Sequence, residues 1–113
     1  MKIREVNENK KQYISLLLLA DEQENMIDRY LERGTMYVLE DSNVKAECVV
    51  CDEGNGILEI KNIAVDPENQ GTGYGKALID FLVSKEILDF MRTDKTAFFI
   101  KWYRERTISR SDL

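Results

Sequence analysis

Gln70, Gly71, Thr72, Gly73, Tyr74 and Gly75 stand at the head of a segment whose apolar residues Tyr74, Ala77, Leu78, Phe81 and Leu82 recur at helical spacing. Three glycines in five positions let the backbone approach a ligand closely. The free N–H groups of a helix start point outward with the positive end of the helix dipole. Together these features make a pyrophosphate site that needs no basic side chain. Lys76, in the first turn, adds a charge that the geometry does not require. Taken alone, a glycine-rich turn before a helix is also how many helices simply begin. The spacing is not the Gly-x-Gly-x-x-Gly of dinucleotide binding, and no Gly-Lys-Ser/Thr closes the turn as in a Walker loop.

The strand that must deliver this turn is Ile57 to Val65, ended by Pro67. Leu58 and Ile60 alternate as a half-buried strand should, but the next apolar residues are Ile63 and Val65. The alternation slips by one around Lys61-Asn62. That slip is the signature of a β-bulge, which bends a strand and turns its backbone from its neighbour. A strand splayed in this way exposes peptide N–H and C=O groups that an extended ligand could pair with. Glu59 precedes the slip and stands eleven residues before Gln70. It reads either as a proton acceptor near the site or as a solvated residue between Leu58 and Ile60.

The elements upstream have to form a platform for this strand. Met1 to Val6 reads as a short first strand. Two helices follow, one near residues 10–19 and one near 22–33, the second capped by Asp21 and ended by Gly34. Met26, Ile27, Tyr30 and Leu31 mark its core face. Then the period changes. Thr35 to Glu40 and Val44 to Cys51 are strands, joined by Asp41-Ser42-Asn43. Asp52 to Gly56 turns the chain into the strand at 57–65. Three strands on short polar turns make an antiparallel meander, and the helix from about Thr72 to Lys85 closes the unit.

Composition fits a single domain at residues 1–113. Of these 113 residues 43% are hydrophobic and 33% charged, with one proline and six glycines. The longest apolar run, Leu16 to Ala20, is too short to span a bilayer. No secretory signal is visible at MKIREVNENKK, so the cytoplasm is the expected location and no membrane partner is expected. The net charge of −5, from 16 basic and 21 acidic residues, argues against a nucleic-acid partner. The four cations between Lys101 and Arg110 are read as a solvated segment before a phosphate contact. Cys48 and Cys51 lie three apart on a strand and point to opposite faces, and the chain has no histidine; no metal site is expected.

Residues 57–82 resemble the signature of the GNAT superfamily of N-acetyltransferases, Gln/Arg-x-x-Gly-x-Gly/Ala after a strand. Gln70, Gly73 and Gly75 match it, and Ala64-Val65-Asp66-Pro67 is also typical. The order of strand, two helices and meander is similar to that family's N-terminal half, so the resemblance covers residues 1–85. It implies an α+β, sandwich-like fold with a central, mostly antiparallel sheet flanked by helices. It implies acetyl-CoA as co-substrate and a primary amine as acceptor. Ile63, Ala64 and Val65 would pair with the pantetheine arm. Gln70, Gly71, Thr72, Gly73, Tyr74, Gly75 and Lys76 would hold the pyrophosphate. A backbone N–H at or near Ile63 would polarise the thioester carbonyl, and Glu59 would serve as base.

The resemblance weakens after Lys85. A complete GNAT domain continues with a splayed fifth strand, a helix and two more strands, and a tyrosine on that helix often protonates the thiolate. Here 28 residues remain, with one expected strand, Thr96 to Tyr103, in an atypical tail at 86–113. Tyr103 is the candidate acid, or else a core or interface aromatic. Phe90, Phe98, Phe99, Ile100 and Trp102 need cover in this incomplete fold, so a homodimer is expected. The alternative to an enzyme is a non-catalytic coenzyme-A-binding or dimerising fragment.

Overall fold

The strand-forming runs become one continuous sheet in a computed structural model, which describes residues 1–92, 99–102 and 107–109. Strand β1 is Lys2–Val6. After a single tight turn of helix at Lys10–Tyr13 come α1, Ile14–Ala20, and α2, Glu24–Tyr30. The meander is β2, Thr35–Asp41, β3, Asn43–Gly54, and β4, Ile57–Val65. Helix α3 runs from Tyr74 to Arg92, followed by β5, Phe99–Trp102, and β6, Thr107–Ser109. The strands lie in sequence order. β1 to β4 pair antiparallel, β5 runs parallel to β4, and β6 is antiparallel to β5.

Both faces of the sheet are covered, so its middle strands read as continuous apolar runs instead of alternating. Leu78, Leu82 and Val83 of α3 pack on Tyr37, Leu39, Ala46, Cys48, Val50 and Ile60. On the other face Leu17, Ile27 and Tyr30 pack on Val6, Met36, Val38, Val49 and Cys51. Cys48 and Cys51 thus enter different cores, as strand geometry requires.

Local chemistry sets the turns. Asn55 and Gly56 both take positive φ, 56° and 76°, the two-residue turn that matches the twist of a hairpin. Strand β3 therefore extends to Gly54, past the expected end at Cys51. The second helix is shorter than the expected 22–33, and Asp21 does not cap it. Its carboxylate accepts from Gln23 N at 3.3 Å and from the Tyr30 hydroxyl at 3.3 Å, so the helix begins only at Glu24. Gly34 ends the segment by close approach: a Cβ there would lie 2.9 Å from both Tyr30 O and Val49 Cγ1. Lys10, almost fully buried, donates to the carbonyls of Leu31 at 2.9 Å and Gly34 at 2.7 Å, and so stops the end of α2.

Helix α3 starts two residues later than expected and ends seven later. Gly71 and Gly73 are left-handed, at φ 82° and 90°, and cannot belong to the helix. Beyond Lys85 no glycine or proline breaks the sequence before Arg92. In the tail, β5 falls inside the strand expected at Thr96 to Tyr103. Strand β6 was not expected, because Thr107–Ser109 is short and flanked by charge.

Candidate functional site

The bulge lies at Lys61. Val49 faces Asn62 and Val50 faces Ile60, which leaves Lys61 as the extra residue of β4. Its effect is to restore the faces. Leu58, Ile60, Ile63 and Val65 all pack on the α3 side, whereas an uninterrupted strand would have turned Ile63 and Val65 over. The bulge also divides the outer edge of β4. Ile57 to Ile60 pair with β5, from Phe99 to Trp102. Among the described residues, nothing pairs with Ile63, Ala64 and Val65 on that edge.

A groove of about 410 Å³ opens beside this unpaired stretch, lined by Ile63, Ala64, Val65, Gly75, Lys76 and Ile79. Five of these six are among the residues that the resemblance assigned to coenzyme A, whereas Gln70, Gly71, Thr72, Gly73 and Tyr74 are not in this lining. Ile79 was not so assigned, although its position one helical turn after Gly75 puts it on the same side of α3. The loop between strand and helix is tied at several points. Asp66 N donates to Lys45 O at 2.8 Å, and Asp66 Oδ1 accepts from Glu68 N at 3.0 Å. Gln70 Nε2 reaches back to Val65 O at 3.5 Å, and the Thr72 hydroxyl donates to Asn69 O.

Gly71 and Gly73 have open space where a Cβ would sit, so their positive φ, not crowding, is what demands glycine. At Gly75 a Cβ would meet Val65 Cγ2 at 3.5 Å, an ordinary contact that alanine would also satisfy. The first intrahelical bond runs from Ala77 N to Gly73 O at 2.9 Å. The amides of the preceding turn point out of the helix end. Tyr74 is fastened from outside: its hydroxyl donates to Asp41 Oδ2 at 2.7 Å, which also raises the phenol's pKa. Lys76 Nζ is held by Asp80 at 2.7 Å on an exposed surface. Lys76 is thus paired along α3 while it lines the groove beside Gly75.

Glu59 pairs with Cys51 across the strands, and Cys51 belongs to the α1/α2 core; Glu59 therefore stands on that face. Its side chain is only 13% exposed and sits 3.2 Å from Lys61 Nζ, which also reaches Glu53 at 3.4 Å. It is sheltered and paired, not solvated as free alternation would allow. Three residues separate it from Ile63, about 10 Å along a bulged strand, a span for water and not for direct contact. Tyr103 lies outside the described residues.

The same face holds polar groups that sequence reasoning passed over. Asn62, 2% exposed, donates from Nδ2 to Leu17 O at 2.9 Å and to the Tyr30 hydroxyl at 3.1 Å. Glu47, directly opposite Ala64, is fully buried, and desolvation pushes its carboxyl up to about 8. Burial likewise raises Tyr30 and Cys48. Among the described residues no three His, Cys, Asp or Glu side chains gather in a way that would hold a metal ion. None of the described helices is long and apolar enough to cross a membrane.

Residues 32–106 match the family profile described as "Acetyltransferase (GNAT) domain". The chain is 36% identical over 73 residues to the uncharacterized N-acetyltransferase YvbK of Bacillus subtilis, a match that covers 64% of this chain and 47% of that protein. Among solved structures it superposes on an IAA acetyltransferase from Bacillus cereus with a TM-score of 0.72 and 30% identity. An acetyltransferase from Elizabethkingia anophelis, solved with acetyl-CoA bound, gives a TM-score of 0.74 at 29% identity. Each structural match covers 88% of this chain and 63% of the other. The chain thus spans about half the length of its curated relative and under two thirds of these structures. The architecture they share is the α+β sheet flanked by helices described above.

Proposed function

The chain belongs to the GNAT acetyltransferase family, and we propose that it moves an acetyl group from acetyl-CoA to a primary amine. The observation that carries this reading is the groove between the unpaired edge of β4 and the start of α3. Pantetheine is an extended chain with two amides, and Ile63 to Val65 present peptide groups that no described residue pairs with on one side of that groove. At its end the amides of Gly71 to Gly75 face the pyrophosphate, with Gln70 opening the loop. The relative solved with acetyl-CoA bound supports the same co-substrate here.

In the reaction the amine nitrogen attacks the thioester carbon, the C–S bond breaks, and the sulfur leaves as a thiolate. Negative charge gathers on the carbonyl oxygen as the amine adds. A fixed N–H at Ile63 or its neighbour stabilises it. The arriving ammonium must first lose a proton, and Glu59 takes it through water. The nitrogen of the adduct then gives up its second proton to solvent, and Tyr103 or solvent returns one to the thiolate, so that one proton is released net. We place the reaction in the cytoplasm, where acetyl-CoA is available, and assign the working form as a homodimer. Sedimentation of the intact chain at micromolar concentration tests the dimer, and a compact monomer removes it.

Glu59 separates this reading from a coenzyme-A-binding unit without turnover, which its engagement by Lys61 favours. Glu59→Gln is expected to lower acetyl transfer about a hundredfold, the usual scale of a lost general base, and to leave coenzyme A affinity unchanged. Transfer to a panel of amines, followed by thiol release, measures both proteins. No transfer by the wild type, with tight coenzyme A binding, selects the second reading.

A further inference from the structure

Three buried acceptor atoms on the α1/α2 face have no donor: both carboxylate oxygens of Glu47 and Oδ1 of Asn62. Glu47 is 0% exposed and Asn62 2%. They lie under the part of the sheet that borders the groove. Glu47 on β3 faces Ala64 of β4, and Asn62 is two residues before Ala64 on the same strand. The two side chains are therefore diagonal neighbours on one face, their Cα atoms about 7 Å apart, which residues of this length bridge.

An ionised carboxylate in such a place is costly, because nothing replaces the water it has lost. One proton removes most of the problem. A neutral carboxyl has an O–H to donate, and the orphan acceptor within its reach is Asn62 Oδ1. Desolvation favours the same state. The Ala64 amide, close by but outside hydrogen-bond geometry, pulls the other way and is outweighed by burial. With that proton in place the donors run in a single direction. Glu47 donates to Asn62 Oδ1, Asn62 Nδ2 to Leu17 O and the Tyr30 hydroxyl, and Tyr30 to Asp21 Oδ2. A reversed Asn62 amide would set its oxygen against the Leu17 carbonyl.

We propose that Glu47 is a proton-carrying positioning residue: its neutral carboxyl orients Asn62 and so holds Asn62 to Val65 in the shape that receives the pantetheine arm. This rests on the reading of that segment as the coenzyme A strand. The charged and titratable groups around Glu47 reinforce it. Tyr30 faces it from α2, with Asp21 behind on the α1–α2 link. Helix α1 carries no titratable side chain. Arg4, on β1 across Val38, is committed to Glu40 and Tyr13, and Lys61 to Glu59 and Glu53. Among the described residues, no cation is hydrogen-bonded to the Glu47 carboxyl.

Glu47 takes up its proton at about 8 in the fold, against 4.5 for an ordinary glutamate. Between those values the folded chain holds one proton more than the unfolded chain. The stabilisation is complete below about 4.5 and lost as pH rises through about 8. Ionisation repels Asn62 Oδ1 and loosens β4, so binding of coenzyme A weakens in step with the protonated fraction, roughly tenfold per pH unit above the transition.

Difference infrared spectra of the ligand-free wild type and Glu47→Gln at neutral pH are expected to show a carboxylic-acid carbonyl band in the wild type alone. Calorimetry with coenzyme A, below and above pH 8, is expected to give the tenfold-per-unit loss in the wild type and none in Glu47→Gln beyond the ligand's own ionisation. No acid band, or the same pH curve in both proteins, overturns the proposal. If the wild type binds no coenzyme A at any pH, the positioning role falls with the coenzyme A reading, while the infrared band still decides the protonation of Glu47. Should Glu47→Gln fail to fold, the urea midpoint of the wild type decides protonation. A decline between about pH 4.5 and 8 supports it, and a flat or rising midpoint overturns it.

Discussion

The two faces of this sheet are built on different terms. The α3 face is hydrophobic throughout: Leu78, Leu82 and Val83 close over Tyr37, Leu39, Cys48 and Ile60. The α1/α2 face buries comparable aliphatic side chains but also encloses Lys10, Glu47 and Asn62. The difference follows from the elements laid upon it. Helix α3 is long and, among the described residues, is the helix that covers its face. Helices α1 and α2 have seven residues each, so their ends, with unpaired carbonyls, lie over the core. Leu17 O, Leu31 O and Gly34 O would be orphans without Asn62 and Lys10. A face made of short helices needs buried polar side chains to finish it; a face made of one long helix does not.

Substitutions can break that contrast. The largest effect is expected on the apolar side. Leu78→Ala leaves a cavity in a fully buried layer and should cost about 2–5 kcal/mol. Urea denaturation measures it, and a loss below 1 kcal/mol, on the order of a surface change, would mean that the layer is not tightly packed.

Lys10→Met tests the polar side. It keeps the aliphatic stem and removes the donor to Leu31 and Gly34, so the buried carbonyls lose their partner, at about 1–3 kcal/mol. A neutral outcome would show that water reaches the end of α2 and that the face is less dry than its burial suggests.

The smallest expected change in stability is the most consequential for binding. Gly73→Ala forces a side chain into left-handed backbone, at about 1–2 kcal/mol. It is also expected to displace the amides at the start of α3, and calorimetry with coenzyme A should show the affinity reduced at least tenfold, about 1.4 kcal/mol. Gly75→Ala, with ordinary backbone and a 3.5 Å contact to Val65, is expected to bind as the wild type does. Equal losses at both positions would assign the glycines to helix packing instead of ligand approach.

Much of the site could be read before any fold was known, because its signals are local. The change of parity between Ile60 and Ile63 located the bulge to within one residue, since strand side chains have a period of two and only an extra residue restores it. The glycines before Tyr74 announced a loop of left-handed backbone, since left-handed φ is a property of single residues. Helix ends were read less well. Asp21 has the chemistry of a cap, but Tyr30 and Gln23 claim its carboxylate, and Tyr30 comes within reach only when α2 has packed.

What the amino-acid sequence determined by itself is therefore the period, the bulge and the glycine loop, and with them the family. Tertiary structure alone decided the fates of Lys10, Glu47, Asn62 and Glu59. In the sequence each is an ordinary polar residue, fit for a solvated surface. Burial depends on what covers the opposite side, and two short helices from the N-terminal third cover β3 and β4. Once the water is gone, a lysine must find carbonyls, an asparagine must span two helices and a glutamate must keep its proton. Those obligations come from distant segments meeting, and no local pattern records them.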